Sequence, residues 1–193
     1  MNHRRWLIPA ALLVAALQIG VLGWSIISRA AILRDGREIL VKVEPVDPRD
    51  LLRGDYVRLG YEFSRLPVSL FGDSVARAPE SGPATVWVRL RRGDDGLWSA
   101  VRASYLDRPA EAAGDDEVDI RGISDYRGTG DDAEVDIDYG IERYFVPEGE
   151  GRDIEKDMRE RSFTIRAAVA GNGTVAIKAL LDDGTVLYEE PLY

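Results

Sequence analysis

Cysteine is absent from the 193 residues, and histidine occurs once, as His3 beside the N-terminus. The first absence excludes disulfides, thiolate catalysis and cysteine metal sites. The second excludes any mechanism that needs a histidine in a folded domain downstream. Lysine occurs only at Lys42, Lys156 and Lys178, and no serine lies between Ser28 and Ser64. Positive charge is also short: 25 basic side chains face 34 acidic ones, a net charge of −9. The first 33 residues hold three arginines and no acid, so 22 basic and 34 acidic side chains remain beyond them, a net of −12. Such a surface repels phosphate backbones and anionic headgroups, so no nucleic acid partner is expected. The glycines at 149, 151, 171 and 173 lack the strand, lysine and helix context of a phosphate loop.

A long uncharged run is present instead. After a basic head, the chain carries no charge from Trp6 to Ser28, which is 23 residues. A bilayer core needs about 20 helical residues. Trp6 and Trp24 fall near its ends, where indoles favour the interface, and Pro9 falls in its first turns, where a missing N–H is tolerated. Two alternatives stay open. "SRA" at 28–30 suits a cleavage site, although a signal peptide's apolar region is shorter, about 7–15 residues. A twin-arginine signal would need more than Arg4 and Arg5. The expected division is a cytoplasmic tail at 1–5, a transmembrane anchor at 6–33 and an extracytoplasmic β-rich domain at 34–193. Arg29, Arg34, Arg37 and Lys42 on the far flank argue for the reverse orientation, but long domains cross largely regardless of charge. The reading adopted places the N-terminus in the cytoplasm and the domain outside.

The rest of the chain alternates with period two. "REILVKVEPV" (37–46) reads as a strand, and "DPRDLLRG" (47–54) as a one-turn helix with a capping Asp47, Pro48 at its first position and Gly54 at its exit. "DYVRLGYEF" (55–63) places Val57, Leu59, Tyr61 and Phe63 on one face and Tyr56, Arg58, Gly60 and Glu62 on the other. Tyr61 is therefore expected in the core and Tyr56 on the polar side, with Gly60 leaving room for a close approach. Residues 67–83 read as a loop, 85–106 as a hairpin turning at Gly93–Gly96 with Trp87 and Trp98 in its arms, and 110–117 as a polar connection. Strands are expected at 118–126 and 133–146, a helix at 151–161, and three strands after it with turns at 171–173 and 182–184. Glu155/Arg159 and Asp157/Arg161 sit at (i, i+4) in that helix. The fold class is mainly β (α+β): an antiparallel β domain with one or two short helices, preceded by a single N-terminal transmembrane helix.

Three chemistries are weighed. "GDDAEVDIDYG" (130–140) offers Asp131, Asp132, Glu134, Asp136 and Asp138 to calcium, but the last three alternate with Val135, Ile137 and Tyr139 as on a solvated strand face, and no EF-hand spacing is present. No metal and no cofactor are expected. An anchor followed by a β domain with a "GD" turn resembles signal peptidases, yet their nucleophilic serine just after the anchor has no counterpart here. Paired carboxylates are unavoidable among 34 acids and carry little information.

"GDYVRLGY" (54–61) matches the signature glycine-aspartate-tyrosine-any-any-leucine-any-tyrosine through Gly54, Asp55, Tyr56, Leu59 and Tyr61. It resembles the GDYXXLXY family of bacterial membrane-anchored proteins. A second segment, "YGIERYFVPEGEG" (139–151), is similar to that family's other signature. Within it Ile141, Arg143 and Phe145 alternate with Glu142, Tyr144 and Val146 before Pro147 ends strand pairing. Glu148–Gly151 reads as a loop opening the helix. The resemblance implies an accessory of a multi-span membrane protein and no known catalytic residue. The expected function is thus a non-catalytic interaction module, with a carboxylate-based enzyme or small-ligand-binding domain as the alternative. Binding candidates are Asp55, Tyr56, Glu142, Tyr144 and Glu148; no catalytic residue is assigned.

Overall fold

The computed structural model describes residues 3–45, 56–79, 82–125, 133–147, 149–150, 154, 156–158 and 160–191. The helix expected at 47–54, Asp55, Asp131, Asp132, Glu148 and the pair Glu155/Arg159 lie outside the described residues.

The uncharged run forms one helix, α1 (His3–Asp35). Leu7–Asp35 is long and apolar enough to cross a membrane, and none of its apolar window is buried against the rest of the chain. The helix runs two residues past the expected end of the anchor. Its last turn docks on the β domain, where Leu33 is buried. Gly36 makes that junction possible. A Cβ there would lie 2.5 Å from the Ile32 carbonyl oxygen and 3.0 Å from the Ala168 side chain.

Among the described residues eleven strands follow: β1 (Arg37–Pro45), β2 (Tyr56–Tyr61), β3 (Arg65–Pro67), β4 (Ala84–Arg92), β5 (Trp98–Tyr105), β6 (Glu117–Ser124), β7 (Glu134–Asp136), β8 (Arg143–Phe145), β9 (Phe163–Val169), β10 (Val175–Asp182) and β11 (Thr185–Glu189). They form a six-stranded sheet ordered β11-β10-β9-β1-β2-β8, a three-stranded sheet ordered β5-β4-β6 and a β3-β7 pair. Every pairing is antiparallel. Period-two alternation drives this packing. Ile39, Val41 and Val43 of β1, Val86, Val88 and Leu90 of β4 and Ile165, Ala167 and Val169 of β9 all enter one core shared by the sheets.

Ion pairs brace the smaller sheet, and one side-chain hydrogen bond and a close backbone approach tie it to the larger. Arg89 donates to both Asp119 oxygens, at 2.7 and 3.0 Å, with both side chains buried. Arg108 donates to Asp119 at 2.9 Å and to the Gly171 carbonyl at 3.1 Å, and its guanidinium covers the Trp87 ring. These two arginines hold the Asp119 carboxyl below its ordinary value against the opposing effect of burial. Gly173, at φ 81°, closes the β9–β10 turn so near Trp87 that a Cβ would sit 2.5 Å from its ring.

Three expectations are corrected. The stretch read as a loop at 67–83 instead contains β3's last residue and 3₁₀ turns over Val68–Arg77, kinked at Gly72. Phe71 and Ser74 are both buried, and the Ser74 hydroxyl donates to the Phe71 carbonyl at 2.6 Å across the kink. Phe71 meets the Tyr105 ring at 4.8 Å. β2 stops at Tyr61, and Phe63 reaches the core from a 3₁₀ turn at Glu62–Ser64. The strand expected at 133–146 is two short strands, β7 and β8, separated by a turn through Gly140 at φ 79°. The alternation holds through the buried Ile141 and then shifts by one residue, so that Tyr144 is buried and Phe145 is 74% exposed. In the expected 151–161 helix, Ile154 and Met158 are buried and Asp157 lies 3.5 Å from Arg161.

Candidate functional site

The two signature segments, about 80 residues apart in the chain, are joined in the fold. β2 pairs with β8 in the register Tyr56↔Phe145, Val57↔Tyr144 and Arg58↔Arg143. Beyond β8 the connection continues, because the Leu59 N–H donates to the Glu142 carbonyl at 3.0 Å.

Alternation along β2 then sorts its side chains. Val57, Leu59 and Tyr61 are at most 2% exposed. The Tyr61 hydroxyl donates to the Ile141 carbonyl at 2.6 Å, and the Tyr139 hydroxyl donates to the Phe63 carbonyl at 2.8 Å. Each segment thus satisfies a buried carbonyl of the other. The rings pack in series: Tyr61 stacks on Phe63 at 5.3 Å, and Phe63 meets Tyr139 edge-on at 5.2 Å. Such pairs add about 0.5–1.5 kcal/mol each beyond the area they bury. Burial pushes both tyrosine hydroxyls well above their ordinary value, and the nearby Glu142 charge pushes in the same direction.

Glu142 is half-buried beneath this cluster. Its Oε1 accepts the Tyr139 N–H at 2.7 Å. Burial raises its carboxyl above the ordinary value, and Asp138 adds to the rise by hydrogen bond and by charge. Asp138 is held by the turn: its Oδ1 accepts the Gly140 N–H at 2.8 Å, and its backbone bridges Ile123 at the end of β6.

An open groove of about 750 Å³ runs over this junction. Gly60 lines it, as its place on the polar face of β2 suggested. Seven carboxylates line it: Glu44, Glu62, Asp125, Glu134, Asp136, Asp138 and Glu142. Arg58 and Arg65 are the two cationic residues in the lining. Arg65 lies 3.0 Å from Asp136 and 3.6 Å from Glu134, all largely exposed. Among the described residues no three histidine, cysteine or carboxylate side chains converge to hold a metal ion. The excess of carboxylates over arginines in its lining gives the groove an attraction for cationic groups.

Of the residues expected to bind, the structure brings Glu142 to the groove. Tyr56 stands apart, its ring edge-on to the exposed Phe145 at 6.2 Å. Tyr144 is buried opposite Val57, its hydroxyl pushed up to about 12 by burial and by the charges of Glu190 and Glu189. Sequence reasoning did not anticipate Glu44, Asp125 and Asp138 as neighbours of Glu142. The acids of β7 did alternate visibly, but alternation gives a face and not what lies opposite it.

A family model described as GDYXXLXY protein matches residues 18–180. No curated protein matches the chain, and no solved structure does.

Proposed function

From the premise that this chain belongs to the GDYXXLXY family, we propose that it is a single-pass, membrane-anchored accessory module. Its N-terminus lies in the cytoplasm and its β domain on the periplasmic side of a bacterial inner membrane. The domain acts by binding a multi-span membrane protein rather than by catalysis.

One observation carries this reading: α1 exposes its apolar side chains along its length and then packs Leu33 into the β domain without a break. The uncharged run spans roughly 35 Å at ~1.5 Å per residue, enough for a hydrocarbon core. About two helical turns then separate it from β1. A domain held so close to the bilayer by a docked helix presents its surface to neighbours in the same membrane. The signature residues Leu59 and Tyr61 fit a scaffolding role, since both are enclosed and Tyr61 is hydrogen-bonded across the two segments.

The test is in two steps. The protein is expected to stay with membranes through carbonate washing, and a reporter fused after Tyr193 to be active only outside the cytoplasm. Purification of the full chain in mild detergent is then expected to recover a multi-span protein. Release by carbonate, or a mature chain starting at Ala31, defeats the anchoring; recovery of the chain alone defeats the accessory role.

A second reading, a carboxylate-based enzyme or small-ligand site, is favoured by one observation: Glu142 combines a raised carboxyl value with access to the groove.

A further inference from the structure

We infer that α1 and the β domain move as one rigid lever, so that the tilt and rotation of α1 in the bilayer set the direction in which the groove faces. The inference rests on the reading of α1 as a membrane span and goes beyond it, because an anchor alone needs no fixed angle to its domain.

A hinge needs terminal or loop residues that are free to change their dihedral angles. Only Gly36 stands between the end of α1 at Asp35 and the start of β1 at Arg37. Its N–H donates to the Ile32 carbonyl at 2.9 Å, so helical bonding reaches into the joint. Glycine is the residue most able to swing, but this one is walled in. The place where a Cβ would project is filled by the Ile32 carbonyl oxygen and the Ala168 side chain. Leu33 is buried, and Ala30, Ala31 and Ile32 are half-buried, where the last turns of α1 lie against β9 and β10. Swinging α1 away would return that apolar surface to water.

The far side of the joint is equally fixed. Arg37, the first residue of β1, donates to the Glu117 carbonyl at 2.7 Å and to the Asp115 carbonyl, and its guanidinium covers the Trp98 ring at 5.0 Å. Glu38 pairs with Lys178 of β10. β1 thus leaves the joint bound to the smaller sheet, to β9 and to β10. Its other end pairs with β2 and carries Glu44 into the groove. Glu44 lies eight residues past Gly36, which is roughly 26 Å along an extended strand. A tilt of about 20°, ordinary for a spanning helix, swings a lever of that length by up to roughly 9 Å.

The chain's lack of cysteine makes the test direct. The full-length chain, in phosphatidylcholine vesicles, carries spin labels on two introduced cysteines. Ile27→Cys with Glu44→Cys spans the joint, and Arg102→Cys with Glu44→Cys lies within the β domain; all three positions are exposed. Dipolar electron resonance is expected to give each pair a single distance, the two distributions having similar widths. Leu33→Ala combined with a four-residue Gly-Ser insertion between Asp35 and Gly36 is expected to widen the first distribution at least about twofold, as a flexible linker does. The second distribution and the melting temperature are expected to hold. In the parent, a first distribution twice as wide as the second overturns the inference, and that comparison stands even where the insertion unfolds the domain. A first distribution unchanged by the insertion in a folded domain overturns it as well. Carbonate washing separates the two failures. A retained chain with a broad first distribution loses the lever alone, and a released chain loses the span on which the lever rests.

Discussion

The two faces of β2 differ in almost everything except backbone. Inward, Leu59 and Tyr61 lie under an aromatic stack whose hydroxyl groups satisfy carbonyls across two distant segments. Outward, Arg58, Gly60 and Glu62 border an open groove dominated by carboxylates. The inner face tolerates little, because each atom there is matched to another. On the outer face Arg58 and Glu62 are exposed, and changes there cost the fold less. A short signature that spans both faces is therefore mostly a rule for closing the domain, with the chemistry of recognition laid beside it.

The comparison is tested first where the effect is largest. Tyr61→Ala in the full chain is expected to destabilise the domain by about 3–5 kcal/mol, as for other buried aromatic truncations. Urea unfolding in detergent, followed by tryptophan fluorescence, measures it. A loss under about 1 kcal/mol breaks the distinction between the faces, being ordinary for a surface site.

Removing only a hydroxyl sharpens the point. Tyr139→Phe keeps the ring but leaves the Phe63 carbonyl without its donor. The expected loss is about 1–3 kcal/mol for a buried unsatisfied acceptor. Tyr56→Ala, on the other face, is expected to lose about 1 kcal/mol, the scale of its single edge-on contact with Phe145. Equal losses for Tyr56→Ala and Tyr61→Ala remove the two-faced reading.

Glu142 sits between the faces, and its effect depends on pH. Its carboxyl is raised above the ordinary 4.5 in the fold, first by burial. The folded state therefore holds that proton more tightly than the unfolded chain. The stability this proton supplies is complete below 4.5 and is lost as pH rises through the folded value. Glu142→Gln keeps an acceptor for the Tyr139 N–H and stays neutral throughout. It is expected to melt higher than the parent near pH 7 and to converge with it in acid. A constant difference at every pH removes Glu142 as the titrating group.

The smallest effect on stability is expected in the groove itself. Glu62→Gln with Asp136→Asn touches exposed carboxylates, one of them in an exposed ion pair. Stability is expected to change by under about 1 kcal/mol. If the groove recognises a partner, co-purification falls while melting holds. Unchanged co-purification moves recognition elsewhere on the domain.

By itself the sequence determined the exposed apolar helix, the antiparallel β class, the hairpin at Gly93–Gly96 and the inward turn of Tyr61. These depend on periodicity, turn residues and the absence of charge, all of which are local. The same local logic failed after Ile141, where the chain leaves the turn at Gly140 and a shift of one residue buries Tyr144 and exposes Phe145. It also read Val68–Arg77 as a loop, because 3₁₀ turns leave a weaker pattern than strands. Only the tertiary structure decided that the two signatures share one hydrogen-bonded junction, that Tyr56 and Tyr144 part company with Glu142, and that acids from β1, the turn after β2 and the segments around β6 and β7 face one groove. Those outcomes depend on strand order, β1-β2-β8 in one sheet and β6 bridged to Asp138 from another. Strand order is set by which apolar faces meet across the core, and residues far apart in the chain contribute to that choice together.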